Sequence, residues 1–333
     1  MLKIQEIIRK YKSQDILIFA HADHDGICAT AGLNYLFGNL KVIFSQSFMP
    51  KKMPPLCNKK LLIICDLQLN EKNILELLEN GMEIIDLDHH EIKNITHSRY
   101  HCFNPKKLYN KQFISSSGLI WKLFRPSEIS WVLGVGSAGD LAIEDVADLF
   151  EQIAEKFPEL LSSPEIKTIY NSKIFELAQI LLMSFDNPEE GLELVRKSIE
   201  EGYNKIYESK FYSEYLKKQN TLSAFLNKNK SKIIEDKNFV LIDSSNQLYV
   251  GSYSVKLNLE NKDKRAYIEY CNGRLFFRNY FGSEDVRALA KQFGGGGPHA
   301  RTGGAFTKKS FAEVLNLIKE YFKNKAQQKL FTK

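Results

Sequence analysis

The sequence contains no long apolar run, no paired cysteines and no internal repeat. No stretch reaches the ~18 uninterrupted apolar residues of a membrane span, and the N-terminal segment mixes charged with apolar residues, unlike a signal peptide. We therefore expect a cytoplasmic protein without a membrane segment. The cysteines lack the spacing of a disulfide framework or a zinc ribbon. They are Cys28, Cys57, Cys65, Cys102 and Cys271.

Charge of a single sign is also scarce. The 46 basic residues exceed the 40 acidic ones only slightly, giving a net charge of +6. This small excess is compatible with a polyanionic partner but does not identify one. Because 333 residues exceed the ~100–200 of a typical domain, we expect two domains joined by a connector.

The first 145 residues alternate short apolar runs with helical patterns, which predicts an α/β fold with a mostly parallel sheet. The predicted strands are 15–20, 41–44, 60–65, 82–87 and 130–135. The predicted helices are 27–38, 71–80 and 114–125. In such a sheet, ligands bind at the carboxyl ends of the strands.

The remainder of the chain changes character twice. Residues 146–235 are helical in pattern, and their last, lysine-rich segment is typical of a connector helix. Strand patterns return from about residue 237 in NFVLIDS, LYVGSYSVKLNL, RAYIEY and RLFFRNY, followed by helices near 284–292 and 309–324. We therefore predict a first domain over 1–185, a helical connector over 186–235 and a smaller α/β domain over 236–333.

Acidic and histidine residues follow four of the predicted strands. These clusters are His21-Ala22-Asp23-His24-Asp25-Gly26, the single Asp66, Asp88-His89-His90, and Gly136-Ser137-Ala138-Gly139-Asp140. Each strand delivers its cluster to the same edge of the sheet, so residues distant in sequence can converge there.

Converging carboxylates repel one another, and bound metal ions are the usual compensation. Carboxylate ligands favour hard ions such as Mg²⁺ or Mn²⁺, and the added imidazoles favour Mn²⁺. Two ions ~3.5–4 Å apart can orient a phosphate and stabilise the leaving oxygen of an in-line displacement. The clusters therefore predict phosphoryl chemistry.

Several of these residues also have purely structural interpretations. Asp66 alone could cap a helix, and the small residues before Asp140 could form a tight turn. We interpret His24 as exposed or as a residue behind the ligands, and His97 and His101 as surface residues. Asp86 alternates with Leu87 and should point to the other face of the sheet.

Two further patterns have structural interpretations with functional alternatives. Ser115-Ser116-Ser117-Gly118 is typical of a helix N-cap, although its hydroxyls could contact a substrate. The run Leu275-Phe276-Phe277 is most simply a strand that alternates into a core, although one ring could stack on a base.

The clusters resemble the DHH phosphoesterase superfamily, whose name comes from the Asp-His-His found here at 88–90. That superfamily includes RecJ-type exonucleases, nanoRNases, cyclic-dinucleotide phosphodiesterases and family II pyrophosphatases. The resemblance covers nearly the whole chain, because GGGGPHARTGGAF at 294–306 is similar to the GGGHxxAGG-like motif of the DHH-associated C-terminal domain. The sequence departs from that motif in Pro298 and in Arg301-Thr302.

The resemblance implies a role for each matching residue. Metal ligands would be His21, Asp23, Asp25, Asp66, His89 and Asp140, with Asp66 bridging two Mn²⁺ ions for which Mg²⁺ or Co²⁺ could substitute. His90 would donate to a phosphate oxygen, and Asp88 would fix the orientation of a histidine. Substrate-binding residues in the loop 294–299 and around it would be Arg278, Gly295, Gly296, Gly297, His299, Gly303 and Gly304.

The resemblance also implies a function with open alternatives. The main expectation is a metal-dependent phosphodiesterase that removes nucleotides from an end of single-stranded DNA, RNA or short oligonucleotides, with replication or repair proteins as candidate partners. A small substrate is the first alternative: a cyclic dinucleotide, a 3′-phosphorylated nucleotide or, least favoured, pyrophosphate. A replication-fork scaffold is the second, and the intact ligand set argues against it.

Overall fold

The structure is a computed structural model that describes residues 2–56, 58–297 and 299–331, so Cys57 and Pro298 lie outside the described residues. The chain divides into two compact units, Met1–Tyr215 and Leu216–Lys333. Each unit contains one five-stranded sheet. The predicted α/β class is thereby confirmed, whereas the assignment of 186–235 as a separate connector stays a prediction.

The first sheet is parallel throughout and has the strand order β2-β1-β3-β4-β5. Its strands are β1 Ile16–His21, β2 Lys41–Ser45, β3 Leu61–Cys65, β4 Glu83–Leu87 and β5 Tyr100–Cys102. The four predicted strands between residues 15 and 87 are confirmed. The short β5 was not predicted, because three residues are too few to show an alternating pattern.

Twelve α-helices accompany this sheet or follow it in the described part of the chain. They are α1 Leu2–Ile8, α2 His24–Phe37, α3 Glu71–Glu79, α4 Pro105–Tyr109, α5 Ser116–Phe124, α6 Ser130–Gly139, α7 Ala147–Lys156, α8 Ile166–Ile169, α9 Lys173–Leu181, α10 Pro188–Glu201, α11 Asn204–Tyr207 and α12 Lys210–Lys228. Among all described helices of the protein, none has the length and apolarity needed to cross a membrane.

The three central strands β1, β3 and β4 are buried on both faces, which explains the continuous apolar runs of β1 and β3. Leu17 and Phe19 of β1 pack with Leu62 and Ile64 of β3 in a cluster that also contains Ile74 of α3. On the alternate positions, residues such as Ile18 and Ile63 are equally buried. Water is excluded from both faces of these strands. A functional site therefore has to form at the ends of the strands, where polar side chains occur.

The predicted strand at 130–135 is wrong, because this segment forms the helix α6. A short apolar run cannot distinguish a buried strand from a helix that is buried on every side. All of Ser130 to Ala138 is buried, so no polar stripe marks the helical period. The helix packs between α2, α5 and α9.

The second unit contains a mixed sheet in the order β10-β9-β8-β7-β6, in which only β7 and β8 are parallel. Its elements are β6 Ile233–Glu235, β7 Phe239–Asp243, α13 Ser252–Asn261, β8 Ala266–Cys271, β9 Arg274–Arg278, α14 Val286–Lys291, β10 Thr302–Phe306 and α15 Phe311–Phe331. One face of the sheet packs on α14 and α15 through Leu241, Ile268 and Phe277. The opposite face of β7 and β8 packs on Leu222 and Phe225 of α12.

The predicted strand LYVGSYSVKLNL is also wrong, since residues 252–261 form α13. Its alternation of apolar and polar residues resembles a strand, but a buried carboxylate fixes the helix instead. Glu269 of β8 accepts the backbone N–H groups of Gly251, Tyr253 and Ser254 at 2.7, 3.0 and 3.1 Å. A negative charge at a helix N-terminus satisfies these donors and interacts favourably with the helix dipole.

Replacement of Glu269 with alanine should therefore destabilise the second unit. Each buried donor that loses its partner costs ~1–3 kcal/mol, so we expect the free energy of unfolding to fall by at least about 3 kcal/mol in urea titrations. Glu260→Ala is the matched control, because Glu260 is exposed on the same helix, and its effect should stay within ~0.5 kcal/mol. Equal stability of the two variants would contradict this account of α13.

Candidate functional site

Three of the four predicted clusters lie at the carboxyl edge of the first sheet, as the strand ends require. His21 is the last residue of β1, and Asp66 directly follows β3. Asp88 directly follows β4 and is succeeded by the two histidines. Asp140 reaches the same cluster from the C-terminus of α6 instead of from a strand.

Local backbone geometry brings the first cluster together. Asp23 caps α2, since its Oδ1 accepts the backbone N–H of Gly26 at 3.0 Å. A Cβ atom at Gly26 would lie 2.1 Å from the carbonyl oxygen of His21, so only glycine allows the helix to start this close to the strand. As a result Asp25 lies in the first turn of α2, buried beside the end of β1.

Asp66 has a backbone φ of +56°, which is uncommon for a residue other than glycine. Strained conformations of this kind cluster at functional sites, where the surrounding structure enforces them. Here the Asp66 N–H donates to the carbonyl oxygen of Leu87 at 3.1 Å, so the turn is held by the neighbouring strand. The turn keeps the carboxylate buried between two histidines.

Asp66 links the two imidazoles of the cluster. Its Oδ2 lies 3.4 Å from Nδ1 of His21, and its Oδ1 lies 3.3 Å from Nε2 of His89. His21 Nδ1 is also 3.0 Å from Oδ2 of Asp23, and His89 Nε2 is 3.3 Å from Oδ2 of Asp140. The five side chains therefore form one continuous chain of contacts with Asp66 at its centre.

Asp25 is held by the serine cluster at the start of α5. Its carboxylate accepts the Ser115 hydroxyl at 2.8 Å and the backbone N–H groups of Ser116 and Ser117 at 2.8 and 3.0 Å. Ser115 also caps α5, as the sequence predicted. The contact with Asp25 was not predicted, because nothing in the sequence pairs segments 90 residues apart.

Glycines of α6 allow this helix to approach the cluster closely. A Cβ atom at Gly136 would lie 2.2 Å from the Ser117 hydroxyl and 3.0 Å from Oδ1 of Asp25. A Cβ atom at Gly139 would lie 2.8 Å from the His24 ring, which is buried and not exposed. The small residues before Asp140 therefore serve helix packing.

The cluster is strongly coupled electrostatically. Burial lowers the pKa of His21, but the carboxylates of Asp23 and Asp66 outweigh burial and raise it to about 11. Burial also lowers the pKa of His89, and Asp140 and Asp66 reverse this effect and raise it to about 10. Burial raises the pKa of Asp140 well above its ordinary range, since His89 offsets only part of the penalty.

The donor set fits divalent cations. Three groups place one ligand atom per residue within 4.8 Å of one another: His21, Asp23 and Asp66; Asp66, His89 and His90; and Asp25, His89 and Asp140. Four carboxylates meet only two imidazoles in the first and third groups, so the protein alone does not neutralise the cluster. A mixed oxygen and nitrogen donor set suits Mn²⁺ or Mg²⁺. The groups could therefore hold a metal ion.

A second buried network lies beside the cluster. Asp88 Oδ1 is 2.6 Å from Nδ1 of His90, and Lys93 Nζ donates to Asp86 Oδ2 at 3.0 Å. Tyr100 donates its hydroxyl to the same Asp86 oxygen at 2.5 Å. Lys93 Nζ also lies 3.9 Å from Asp88 Oδ2, so Asp86 and Asp88 share one lysine, and the placement of Asp86 on the other face of the sheet stays a prediction.

Sequence reasoning missed two features near His90. The Phe48 ring stacks on the His90 imidazole with centroids 5.3 Å apart and planes 19° apart, and Phe48 is 44% exposed. The Lys106 ammonium donates to the His90 carbonyl oxygen at 2.9 Å. Neither residue belongs to a recognisable sequence motif.

The prediction that His101 is a surface residue is wrong, because His101 lies half-buried on β5 and its Nε2 is 2.8 Å from Oε1 of Glu83.

The glycine-rich loop of the second unit lies along the edge strand β10. Gly296 and Gly304 exchange both backbone hydrogen bonds, at 3.0 and 2.8 Å. A Cβ atom at Gly295 or Gly297 would lie 2.0 Å from a carbonyl oxygen of β10, so both are needed for this close approach. At Gly296 a Cβ atom would meet nothing within 4 Å.

The other predicted substrate-binding residues divide between surface and interior. Arg278 is half-buried at the end of β9, where its Nη1 donates to the Thr302 hydroxyl at 2.7 Å. His299 is fully buried, and its Nδ1 accepts the Arg301 N–H at 3.3 Å. Gly303 is buried against Ala290 of α14. In this structure His299 and Gly303 therefore shape the loop from inside.

Comparison with known families confirms the predicted resemblance. Residues 15–150 match the family described as DHH family, N-terminal domain, so the chain carries a domain of the DHH family. A comparison with curated proteins gave no match.

Solved structures share the fold at low sequence identity. RecJ in complex with Mn²⁺ from Thermus thermophilus is 17% identical with a TM-score of 0.66, over 96% of this chain and 53% of that one. The chain thus spans about half the length of that RecJ. Exonuclease RecJ bound to manganese is 17% identical with a TM-score of 0.58, over 96% and 93%. The pGpG-specific phosphodiesterase PggH from Vibrio cholerae is 16% identical with a TM-score of 0.53, over 93% and 98%.

Replacement of Asp140 with asparagine should separate metal binding from stability. A raised carboxyl pKa means that the folded state at pH 7 is penalised relative to the unfolded state, where Asp ionises near ~3.9. Without metal, Asp140→Asn should therefore unfold at the same temperature as the wild type or higher. Mn²⁺ at about 100 times its Kd should stabilise the wild type by ~2.7 kcal/mol but the variant far less, as read by thermal unfolding.

Asp15→Asn is the matched control, because Asp15 lies at the opposite end of β1. This variant should respond to Mn²⁺ like the wild type. A full Mn²⁺ response in Asp140→Asn would remove Asp140 from the ligand set.

Proposed function

We propose that the protein is a metal-dependent phosphodiesterase that hydrolyses single-stranded DNA, RNA or short oligonucleotides from an end. The observation that carries this proposal is the position of Asp66, whose two carboxylate oxygens face different histidines, His21 and His89. One carboxylate shared between two ligand groups is the arrangement expected of a two-metal hydrolytic site. Substrate length, the preferred nucleic acid and the end attacked are questions for the experiment below.

The cluster would hold two ions, with Mn²⁺ the expected metal. His21 and Asp23 would hold one ion, Asp25, His89 and Asp140 the other, and Asp66 would reach both. When bound, the ions would neutralise phosphate charge and stabilise the leaving oxygen. The serine donors to Asp25 fix one carboxylate in place before any ion binds, which limits the reorganisation that binding requires.

Asp88 and His90 would act on the substrate phosphate as a pair. Burial raises the pKa of Asp88, but His90 and Lys93 outweigh it and hold the pKa at about 2, so Asp88 is ionised at neutral pH. The 2.6 Å contact then makes His90 Nδ1 the donor to Asp88 and orients the ring. Phe48, stacked on the ring, restricts it from a second side. His90 would then donate from Nε2 to a phosphate oxygen.

The second unit would grip the phosphates of the remaining substrate. Arg278 uses Nη1 for hydrogen bonds to Phe277, Thr302 and Gly303, and its Nη2 and Nε make no hydrogen bond or ion pair within the described part of the chain. Those two donors would bind phosphate. The backbone of Gly296 would contact the substrate directly, because glycine has no side chain to keep the two apart.

Asp66→Asn should abolish turnover while leaving the fold intact. Asparagine accepts a positive φ readily, so this variant avoids the strain that alanine would add at φ +56°. We expect a loss of at least ~10³-fold in the Mn²⁺-dependent rate, because a neutral amide cannot replace a carboxylate shared by two ions. Near-normal turnover by a folded Asp66→Asn variant would contradict the two-metal assignment.

The measurement is a digestion time course on end-labelled single-stranded DNA, single-stranded RNA and a dinucleotide, with Mn²⁺ added or chelated. Stepwise loss of mononucleotides from the long strands would support the exonuclease, and the label would give its direction. Cleavage confined to the dinucleotide would favour a small-substrate enzyme instead. Inactivity on all three would overturn the proposal in favour of a scaffold.

Arg278→Ala should raise KM more than it lowers kcat. The guanidinium would bind a phosphate distant from the reacting one, so it contributes equally to the ground state and the transition state. We expect KM to rise about tenfold, with Lys319→Ala on the exposed face of α15 as a control that changes charge without effect. A fall in kcat alone would place Arg278 at the reacting phosphate.

A further inference from the structure

Strands β9 and β10 of the second sheet carry arginine and phenylalanine on one shared face. On β9 this face carries Arg274, Phe276 and Arg278, since side chains of every second residue share a face. Antiparallel pairing sets Phe276 opposite Gly304 and Arg274 opposite Phe306. Phe276 and Phe306 are therefore diagonal neighbours, with Cα atoms roughly 7–8 Å apart.

This face is open where the same face of the neighbouring strands is packed. Helices α12 and α13 cover β7 and β8 through Phe225 and Tyr253. Phe306, by contrast, is 81% exposed, and Gly304 is exposed beside it. The nearest atom to a Cβ placed on Gly304 is the Leu275 carbonyl oxygen at 3.7 Å, an ordinary contact distance.

Gly304 and Phe306 contribute little to the stability of the second sheet. A glycine weakens a strand, and alanine would fit at Gly304 without a clash. A phenylalanine that is four-fifths exposed gains little from folding. The Phe276 ring is meanwhile fixed on one side, because a Cβ atom at Gly251 would lie 3.0 Å from it. Gly304 therefore leaves room beside the two rings for a planar group to stack.

The charge of this surface selects an anionic partner. Neither β9 nor β10 contains an acidic residue. The Arg274 side chain is exposed and makes no hydrogen bond or ion pair with any residue that the structure describes. Arg278 lies at the other end of the same face, and Lys308 and Lys309 follow β10 as exposed residues. Cations flanking aromatic rings match a chain of phosphates with bases between them.

We propose that Phe276, Gly304 and Phe306 form a base-stacking platform for single-stranded nucleic acid, flanked by phosphate contacts from Arg274 and Arg278. The proposal rests on the proposed phosphodiesterase function and names its substrate class: strands with unpaired bases. Sheet faces that stack bases on aromatic side chains read single strands in this way. Stacking on a ring tolerates any base, so the platform recognises single strands without reading their sequence.

The test measures binding separately from cleavage. Fluorescence anisotropy in the Asp66→Asn background reports the affinity for a labelled oligothymidylate, an oligouridylate and an abasic strand of equal length. Phe306→Ala should weaken binding of the base-containing strands roughly 5- to 150-fold, from ~1–3 kcal/mol per stacked base, and leave the abasic strand unaffected. The two base-containing strands distinguish DNA from RNA as the preferred source.

Matched variants isolate the ring and the charge. Phe306→Tyr should restore binding, and Tyr35→Ala removes an exposed aromatic ring from the first unit without effect. Arg274→Gln should weaken binding of all three strands and lower the salt slope, whereas Lys319→Gln should not. Gly304→Val, which fills the space beside the rings, should reproduce the loss seen in Phe306→Ala.

Three results would overturn the platform. These are unchanged affinity in Phe306→Ala, an equal loss for the abasic strand, or a wild-type dimer that Phe306→Ala converts to a monomer in sedimentation experiments. Inactivity of the wild type on every substrate, with base-dependent binding retained, would instead refute the hydrolase while leaving the platform standing. Because Phe306 is exposed, its replacement should leave the unfolding midpoint unchanged.

Discussion

The structure around the first sheet depends on one electrostatic constraint, the convergence of four carboxylates at a single edge of the sheet. Asp25 and Asp66 are almost wholly inaccessible to water, and an isolated buried carboxylate is strongly disfavoured. The chain supplies partial compensation through His21 and His89, whose pKa values rise to about 11 and 10. Two imidazolium groups cannot neutralise four carboxylates, so the cluster could hold divalent cations.

Small residues at the ends and faces of the helices allow close packing behind the carboxylates. The serines at the start of α5 donate to Asp25, and Gly136 of α6 lets the two helices come close enough for those contacts. Behind Asp88, the buried Lys93 and Asp86 form a further pair at 3.0 Å. Rigid neighbours of this kind hold ligands near their final positions, which is how metal sites are tuned.

The second unit depends on a different asymmetry. Its sheet is packed on one face by α14 and α15, whereas on the other face α12 and α13 cover β7, β8 and part of β9, and Phe306 of β10 is 81% exposed. The uncovered part contains Phe306 and Arg274, and the glycine loop extends the same sheet beyond β10. An uncovered sheet face usually carries polar residues, so exposed aromatic rings there need an explanation. The proposed base-stacking platform provides one.

The sequence by itself determined the fold class and the residues of the cluster. Continuous apolar runs at β1, β3 and β4 are visible without a structure, and parallel strands must present their ends at one edge. That rule brought Asp23, Asp66 and His89 together before any distance was known. It failed for residues 130–135, where a helix buried on all sides shows no periodicity to distinguish it from a strand.

Only the tertiary structure decided which neighbours complete the site. The contact of Ser115 with Asp25 spans 90 positions, and the stacking of Phe48 on His90 joins two segments equally unrelated in sequence, so no local pattern records either. The same holds for the glycine loop of the second unit. Its sequence could not show that a side chain at Gly295 or Gly297 would clash with β10, whereas one at Gly296 would meet no other atom within 4 Å. Sequence patterns report which face of an element is apolar, but what covers that face depends on packing between distant segments.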